Sequence, residues 1–141
     1  MNNKSIAEKV LINTNEAPSI PKGCKIVKHI EAGKISFYSL QDLVISDQFN
    51  QLAVTVMGRL VNDKTITLAN ATILDYWLKN QKIIPKKYKK EGLCFWGTVF
   101  QGDEFVFIKE LAWIPAEKRY DWRKIDIFSN YVHNQPAAVI R

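Results

Sequence analysis

GLCFWGTVFQGDEFVFIKELAWIPAEKRYDW, residues Gly92–Trp122, decides the fold because it concentrates large apolar side chains. Leu93–Phe100 is apolar on both alternating faces and rich in aromatic residues, which is typical of a strand buried on both sides. After the polar turn 101–104, Phe105–Trp113 repeats this pattern and predicts the returning strand of a hairpin. Pro115 marks the next turn, because proline cannot donate a hydrogen bond to a ladder.

The third run, 119–127, has a different pattern. Tyr120 and Trp122 share one face, while Arg119, Asp121 and Arg123 share the other. This alternation indicates a strand with one solvated face. The three runs together predict an antiparallel meander joined by short turns.

Upstream of the meander, the sequence predicts a second hairpin and a first helix. The hairpin would join Cys24–Ile30 to Ile35–Tyr38 through a glycine-containing turn. Between residues 49 and 60, apolar side chains recur at helical spacing and predict a helix. The β-branched residues within Leu52–Val56 would also suit a strand, so both interpretations stay open.

A second helix is predicted at Ala71–Asn80, where Asn70 is a suitable N-cap and Pro85 forbids continuation. The apolar segment 136–141 is expected to dock on the body of the protein. We therefore predict an α+β fold: a curved antiparallel sheet, made of the C-terminal three-stranded meander and the N-terminal hairpin, with about two helices packed on one face.

Length and composition indicate one domain. The chain has 141 residues, of which 47% are hydrophobic and 24% charged, as in ordinary folded proteins. We place a single α+β domain at 24–141, after an N-terminal arm or linker at 1–23. The first residues lack the pattern of a secretory signal, and no stretch approaches the roughly 18 apolar residues of a membrane helix. We expect a cytoplasmic protein, or one exported by a route that uses no cleavable leader, with Cys24 and Cys94 as free, buried thiols.

The familiar catalytic motifs of hydrolases, nucleotide-binding proteins and zinc proteases do not occur in this sequence. A nucleophile pair of Cys94 and His133 is conceivable, but Cys94 lies on a strand predicted to be buried. Acidic pairs such as Glu104 and Glu110 suit a solvated surface better than acid–base work. The spacing of the two cysteines and two histidines supports no metal site. We favour a non-enzymatic protein, with no cofactor and no metal.

The aromatic side chains of the meander suggest the first functional hypothesis. Trp113, Tyr120 and Trp122 would act as exposed anchors of a small non-enzymatic binding domain, which recognises a protein partner or another copy of itself. The alternative interpretation is that the tryptophans fill the core between sheet and helices.

Basic residues suggest the second hypothesis, a nucleic-acid-binding domain. The net charge is +6, and Lys79–Lys90 contains six lysines and no acid. Aromatic rings can stack on bases while lysines follow the phosphates. The candidate residues are Lys86, Lys87, Lys89, Lys90, Arg119, Arg123 and Lys124. This hypothesis requires that the lysine-rich connector and the basic third strand lie on one face.

Several pieces of the chain also occur together elsewhere. They are NATILDYWLKN at Asn70–Asn80, Ile84-Pro85, FWGT at Phe95–Thr98, Trp113, Trp122 and PAAV at Pro136–Val139. This combination resembles a set of small uncharacterised bacterial proteins with a helix N-x-x-[VI]-L-D-Y-[LW]-L, then I-P, F-W-G-T, Trp-rich strands and a closing P-A-A-V. The chain differs from them in its less aromatic third strand and in the lysines that follow I-P. The resemblance implies a shared fold and no particular activity.

Overall fold

A computed structural model describes residues 11–36, 40–43, 51–132 and 135–140. Within these ranges the chain forms an α+β fold with a curved, mostly antiparallel sheet, as predicted. The strands are β1 Leu11–Asn13, β2 Lys25–His29, β3 Lys34–Ser36, β4 Leu40–Leu43, β5 Gln51–Leu52, β6 Thr67–Leu68, β7 Leu93–Gln101, β8 Val106–Ile114, β9 Arg119–Asp126, β10 Tyr131–Val132 and β11 Ala137–Ile140. The helices are α1 Ala53–Asn62 and α2 Ala71–Lys79, with 3₁₀ turns at Gln81–Ile83 and Lys86–Lys89.

The predicted meander is confirmed. β7 pairs with β8 and β8 pairs with β9, both antiparallel, in a register that sets Leu93 opposite Leu111 and Leu111 opposite Trp122. The main sheet has the strand order β4-β11-β7-β8-β9, which leaves β9 at its outer edge. The C-terminal segment does more than dock, because β11 is inserted into this sheet between β4 and β7.

The predicted N-terminal hairpin is wrong in its pairing. β2 pairs with the second half of β7, whereas β3 pairs with β1. The reason is that β7 has a free edge there, where β2 sets Ile26 opposite Phe100 and His29 opposite Thr98. Pairing with β2 gives the backbone groups along that edge of a buried strand their hydrogen bonds.

The placement of both helices on one face is also wrong. α2 shares a core cluster with Leu93 and Phe95, while α1 shares a second cluster with Cys94 and Trp96. Alternate residues of a strand point to opposite faces, so the helices cover opposite sides of β7. A strand that is apolar on both faces needs cover on both sides.

The segment before α2 crosses β7 at very short range. Gly97 donates its N–H to the carbonyl of Ala69 at 2.9 Å. A Cβ at this glycine would lie 2.6 Å from the Ala69 oxygen and 2.7 Å from the Leu68 oxygen. The crossing therefore depends on glycine in the FWGT sequence.

Across the described part of the chain, no helix combines the length and apolar character needed to span a membrane.

Candidate functional site

Tyr120 does not have the exposure that an anchor requires. Its side chain is 3% exposed, and its ring packs edge-on against Trp113 with 4.9 Å between the ring centres. Its hydroxyl donates to the carbonyl of Pro85 at 3.4 Å, and burial raises the pKa of the phenol. The prediction of Tyr120 as an exposed partner-binding residue is therefore wrong, because the segment after α2 covers this part of β9.

The two tryptophans are half-buried and have different surroundings. Trp113 lies beneath Lys89, whose Nζ is 4.3 Å from the ring centre. Trp122 stacks on Phe107, with parallel rings whose centres are 6.3 Å apart. Trp122 also lines a groove that is large enough to hold a ligand. It is therefore the candidate anchor that a partner could contact.

This groove has a volume of about 720 Å³ and lies between the N-terminal segment, α2 and β9. Its lining combines apolar and aromatic side chains with carboxylates, and includes Leu11, Glu16, Asp75, Tyr76, Asp121 and Trp122. Leu11 is 56% exposed. We call this space the Trp122 groove.

Hydrogen bonds hold the N-terminal wall of the Trp122 groove against α2. The backbone N–H of Ser19 donates to Asp75 at 2.6 Å, and the Ser19 hydroxyl donates to the other carboxylate oxygen at 3.0 Å. Thr72 donates its hydroxyl to the carbonyl of Glu16 at 2.6 Å. The wall is thus preorganised by the first two turns of α2.

Lys109 lies behind the groove and is almost completely buried. Its Nζ donates to the Ser19 carbonyl at 3.2 Å and lies 4.4 Å from the Trp122 ring centre. Burial lowers the pKa of Lys109, and the charge of Asp75 partly opposes this. A lowered folded-state pKa gives stability that is present above the unfolded pKa and is lost as pH falls through the folded pKa. Below the ordinary pKa of lysine, the burial of Lys109 therefore weakens the fold, while its side chain contacts Ser19 and Trp122.

Residues of the lysine-rich connector are exposed on the 3₁₀ turn and just after it. They are Lys86, Lys87, Lys89 and Lys90, and the buried side chain of Tyr88 anchors the turn. Lys89 contacts Trp113, which lies opposite Tyr120 in the ladder. The connector therefore borders the α2 side of the sheet.

The arginines of β9 point to the other face. They alternate with Tyr120 and Trp122, and Arg123 lies opposite Glu110. Arg123 forms an ion pair with Glu110 at 3.1 Å, while Arg119 contacts Asp121 at 3.1 Å. The connector and the two arginines thus do not form one basic surface. Lys124 lies on the α2 side, with its Nζ 4.9 Å from the centre of the Phe107 ring.

Glu110 is a second buried ionisable residue on β8. It is 4% exposed and lies directly opposite Cys94. Burial raises the pKa of Glu110, while the charge of Arg123 opposes the effect. Burial and the nearby Glu110 also raise the pKa of the Cys94 thiol. These conditions keep Cys94 protonated and make it a poor nucleophile.

We expect Glu110→Gln to stabilise the protein at pH 7. A carboxyl whose folded-state pKa is raised gives stability that is full below the unfolded pKa, near 4.5, and is lost as pH rises through the folded pKa. Glutamine keeps the shape and removes this loss. Urea unfolding at pH 4 and pH 7 would measure it, with equal stabilities expected at pH 4. A variant less stable than the wild type at pH 7 would show that the Arg123 ion pair outweighs burial.

His29 belongs to a polar network in the core, and His133 lies outside the described residues. The Nε2 of His29 is 2.9 Å from the carbonyl of Thr14, so Nε2 carries the proton, and Nδ1 is 2.9 Å from the Thr98 hydroxyl. Asn70 donates to the same Thr14 carbonyl at 2.9 Å. Among the described residues, no group of three or more His, Cys, Asp or Glu side chains could hold a metal ion.

The sequence patterns missed the acidic walls of the groove and the buried lysine. Glu16 and Asp75 are distant in sequence from Trp122, so no spacing relates them. Lys109 and Glu110 did give a signal, because they are adjacent charges inside a strand predicted to be buried on both faces. Such residues rarely lie in a core unless they are paired.

No protein-family model, curated protein or solved structure matches this chain. The resemblance to small bacterial proteins therefore stays a prediction.

Proposed function

We propose that this domain is a non-enzymatic binding module that holds a segment of a protein partner in the Trp122 groove. The observation that carries the proposal is the position of Trp122, a half-buried aromatic residue on the wall of a groove of about 720 Å³. Tryptophan is a frequent hot spot, because it gives a large rigid contact area with few rotatable bonds.

The walls of the groove support the same function. Ser19 is bound to Asp75, and Lys109 holds both Ser19 and Trp122 from behind. A wall that is already ordered reduces the entropy lost on binding. The Glu16 carboxylate on the N-terminal wall can accept hydrogen bonds from a partner segment, whereas Asp121 already contacts Arg119 and the Trp122 N–H.

We expect Trp122→Ala to remove partner binding. The test selects 12-residue peptides from a phage-displayed library on the full chain and measures their Kd by fluorescence anisotropy. The variant should weaken binding at least about tenfold, since a central tryptophan contributes about 2 kcal/mol or more. Circular dichroism checks that the variant is folded, because Trp122 also packs on Phe107.

Phe128→Ala is the matched control, because Phe128 is an aromatic residue that is 61% exposed and lies outside the groove. It should bind the selected peptides as the wild type does. If selection finds no peptide that distinguishes the wild type from Trp122→Ala, the proposed function is wrong.

A nucleic-acid-binding function is the second candidate, and the exposed lysine connector favours it. Lys86, Lys87, Lys89 and Lys90 surround a turn that buried Tyr88 holds in place, beside half-exposed Trp113. This smaller site excludes Arg119 and Arg123, which face the other side of the sheet.

Replacing these four lysines with glutamine is expected to weaken single-stranded RNA binding and flatten its salt dependence. Each lost phosphate contact reduces the slope of log K against log[salt] by about 0.7 for a single strand. Anisotropy at about 50 and 200 mM salt would measure this. Equal binding by wild type and variant, or none by either, would rule out this second function.

A further inference from the structure

β9 is the outer strand of the main sheet, and its exposed edge can be assigned residue by residue. Ile125 lies opposite Ile108 on β8. Two residues further on, Ile127 donates its N–H to the Val106 carbonyl at 2.9 Å. The odd-numbered residues thus direct their backbone groups towards β8. The even-numbered residues, from Tyr120 to Asp126, direct theirs outward.

Side chains already occupy the two ends of this edge. The Gln81 amide accepts from the Tyr120 N–H at 2.8 Å and donates to the Tyr120 carbonyl at 3.0 Å. Asn130 accepts from the Asp126 N–H at 2.7 Å, and its own N–H donates to the Asp126 carbonyl at 2.9 Å. Each cap imitates a neighbouring strand at one residue, and such devices protect edges from unwanted pairing.

Between the caps the edge is open. The Trp122 N–H donates to the Asp121 carboxylate at 2.8 Å. Within the described ranges, the Trp122 carbonyl and both backbone groups of Lys124 have no hydrogen-bond partner. Trp122 lines the Trp122 groove, and Lys124 lines a cavity of about 270 Å³. Both residues of the open edge therefore border space that a partner side chain can enter.

We propose that the partner segment binds as an added β-strand on the open edge at Trp122–Lys124, beside the Trp122 groove. The inference rests on the proposed function and names its binding mode. Backbone hydrogen bonds to the Trp122 carbonyl and the Lys124 N–H and carbonyl supply attraction, and side chains on one face of the added strand enter the groove.

The side chains beside the open edge indicate the chemistry of the partner strand. An acidic residue opposite Lys124 would form a cross-strand ion pair, and an apolar residue opposite Trp122 would pack on the indole. A second copy of this chain fits less well. Each copy carries a net charge of +6, and the symmetric register that uses only the open residues, with Trp122 opposite Lys124, sets Arg123 opposite Arg123 of the second copy. The occupant is thus a segment of another protein with an acidic and an apolar residue.

Lys124→Pro tests the binding mode, with Lys124→Gln as its matched control. Proline removes the outward N–H, and it is tolerated at an edge position because that N–H does not serve the β8 ladder. Binding of the selected peptides should weaken at least about tenfold in the proline variant. Glutamine keeps the backbone donor and loses only the charge, so it should weaken binding less than about threefold.

A second measurement uses the wild-type protein, so it does not depend on the folding of the proline variant. Methylation of alternate backbone nitrogens in the peptide should abolish binding, and bound unmethylated peptide should slow hydrogen exchange at the Lys124 amide. Peptides that require Trp122 but tolerate both Lys124→Pro and methylation would overturn strand addition and leave the proposed function standing. A concentration-dependent dimer of the wild type that Lys124→Pro abolishes would also overturn the proposal, because the occupant would be a second copy.

Discussion

Gly97→Ala is expected to destabilise the protein by about 3 kcal/mol or more, since overpacking against rigid neighbours is among the costlier substitutions. The new methyl group would lie 2.6 Å from the carbonyl oxygen of Ala69. That atom belongs to the backbone, which cannot rotate away as a side chain could. The Gly97 N–H also bonds to this carbonyl at 2.9 Å, so separating the two segments would break a buried hydrogen bond.

Urea unfolding followed by tryptophan fluorescence would measure the change. Gly58→Ala is the matched control, because Gly58 is an exposed position of helix α1 and a Cβ there meets nothing within 4 Å. The control should stabilise the protein by about 0.5–1 kcal/mol, since alanine favours a helix. If Gly97→Ala cost less than about 1 kcal/mol, the close crossing of the segment before α2 over β7 would be refuted.

Asn70→Ala is expected to destabilise the protein by about 3 kcal/mol. The Asn70 side chain is fully buried and caps α2 by accepting from the N–H groups of Thr72 and Ile73. Its amide donates to the carbonyls of Thr14 and Ile30 at 2.9 and 2.8 Å. Loss of the cap costs about 1 kcal/mol, and each buried group left unpaired adds about 1–3 kcal/mol. The Thr14 carbonyl keeps its bond from His29, so the lower part of that range applies there.

Asn80→Ala, at the other end of α2, is the control. Its side chain is exposed and donates to the Tyr76 carbonyl at 2.8 Å, so the change should stay within about 0.5 kcal/mol. If the two substitutions lowered the free energy of unfolding equally, the bonds from Asn70 to the N-terminal segment would not contribute to stability. That join matters for the proposed function, because the same segment forms a wall of the Trp122 groove.

The helix around Asn70 shows how far local pattern extends. The cap, the inward residues and the end before Pro85 were all predictable, because each depends on residues within one helix. The bonds from Asn70 to Thr14 and Ile30 span 56 and 40 residues, and no spacing encodes them.

The candidate site shows the opposite case. Trp122 was selected from the sequence, but Tyr120, two residues away on the same face, has the same local pattern and is buried. The difference arises from Gln81 and Pro85, which cover Tyr120 and leave the Trp122 edge open. Aromatic residues on a half-solvated strand can be core or anchor, and only their distant neighbours distinguish the two.

For this protein, the three meander strands, their turns and the two helices followed from local chemistry: alternation with period 2, helical spacing near 3.6, and the backbone limits of proline and glycine. Other features arose only when the chain packed. They are the pairing of β2 with β7, the helices on opposite faces, the burial of Lys109 and Glu110, and the groove beside Trp122. Each depends on contacts between residues far apart in the chain. The stabilising free energy arises only when both segments are buried against each other, and neither segment alone specifies its partner.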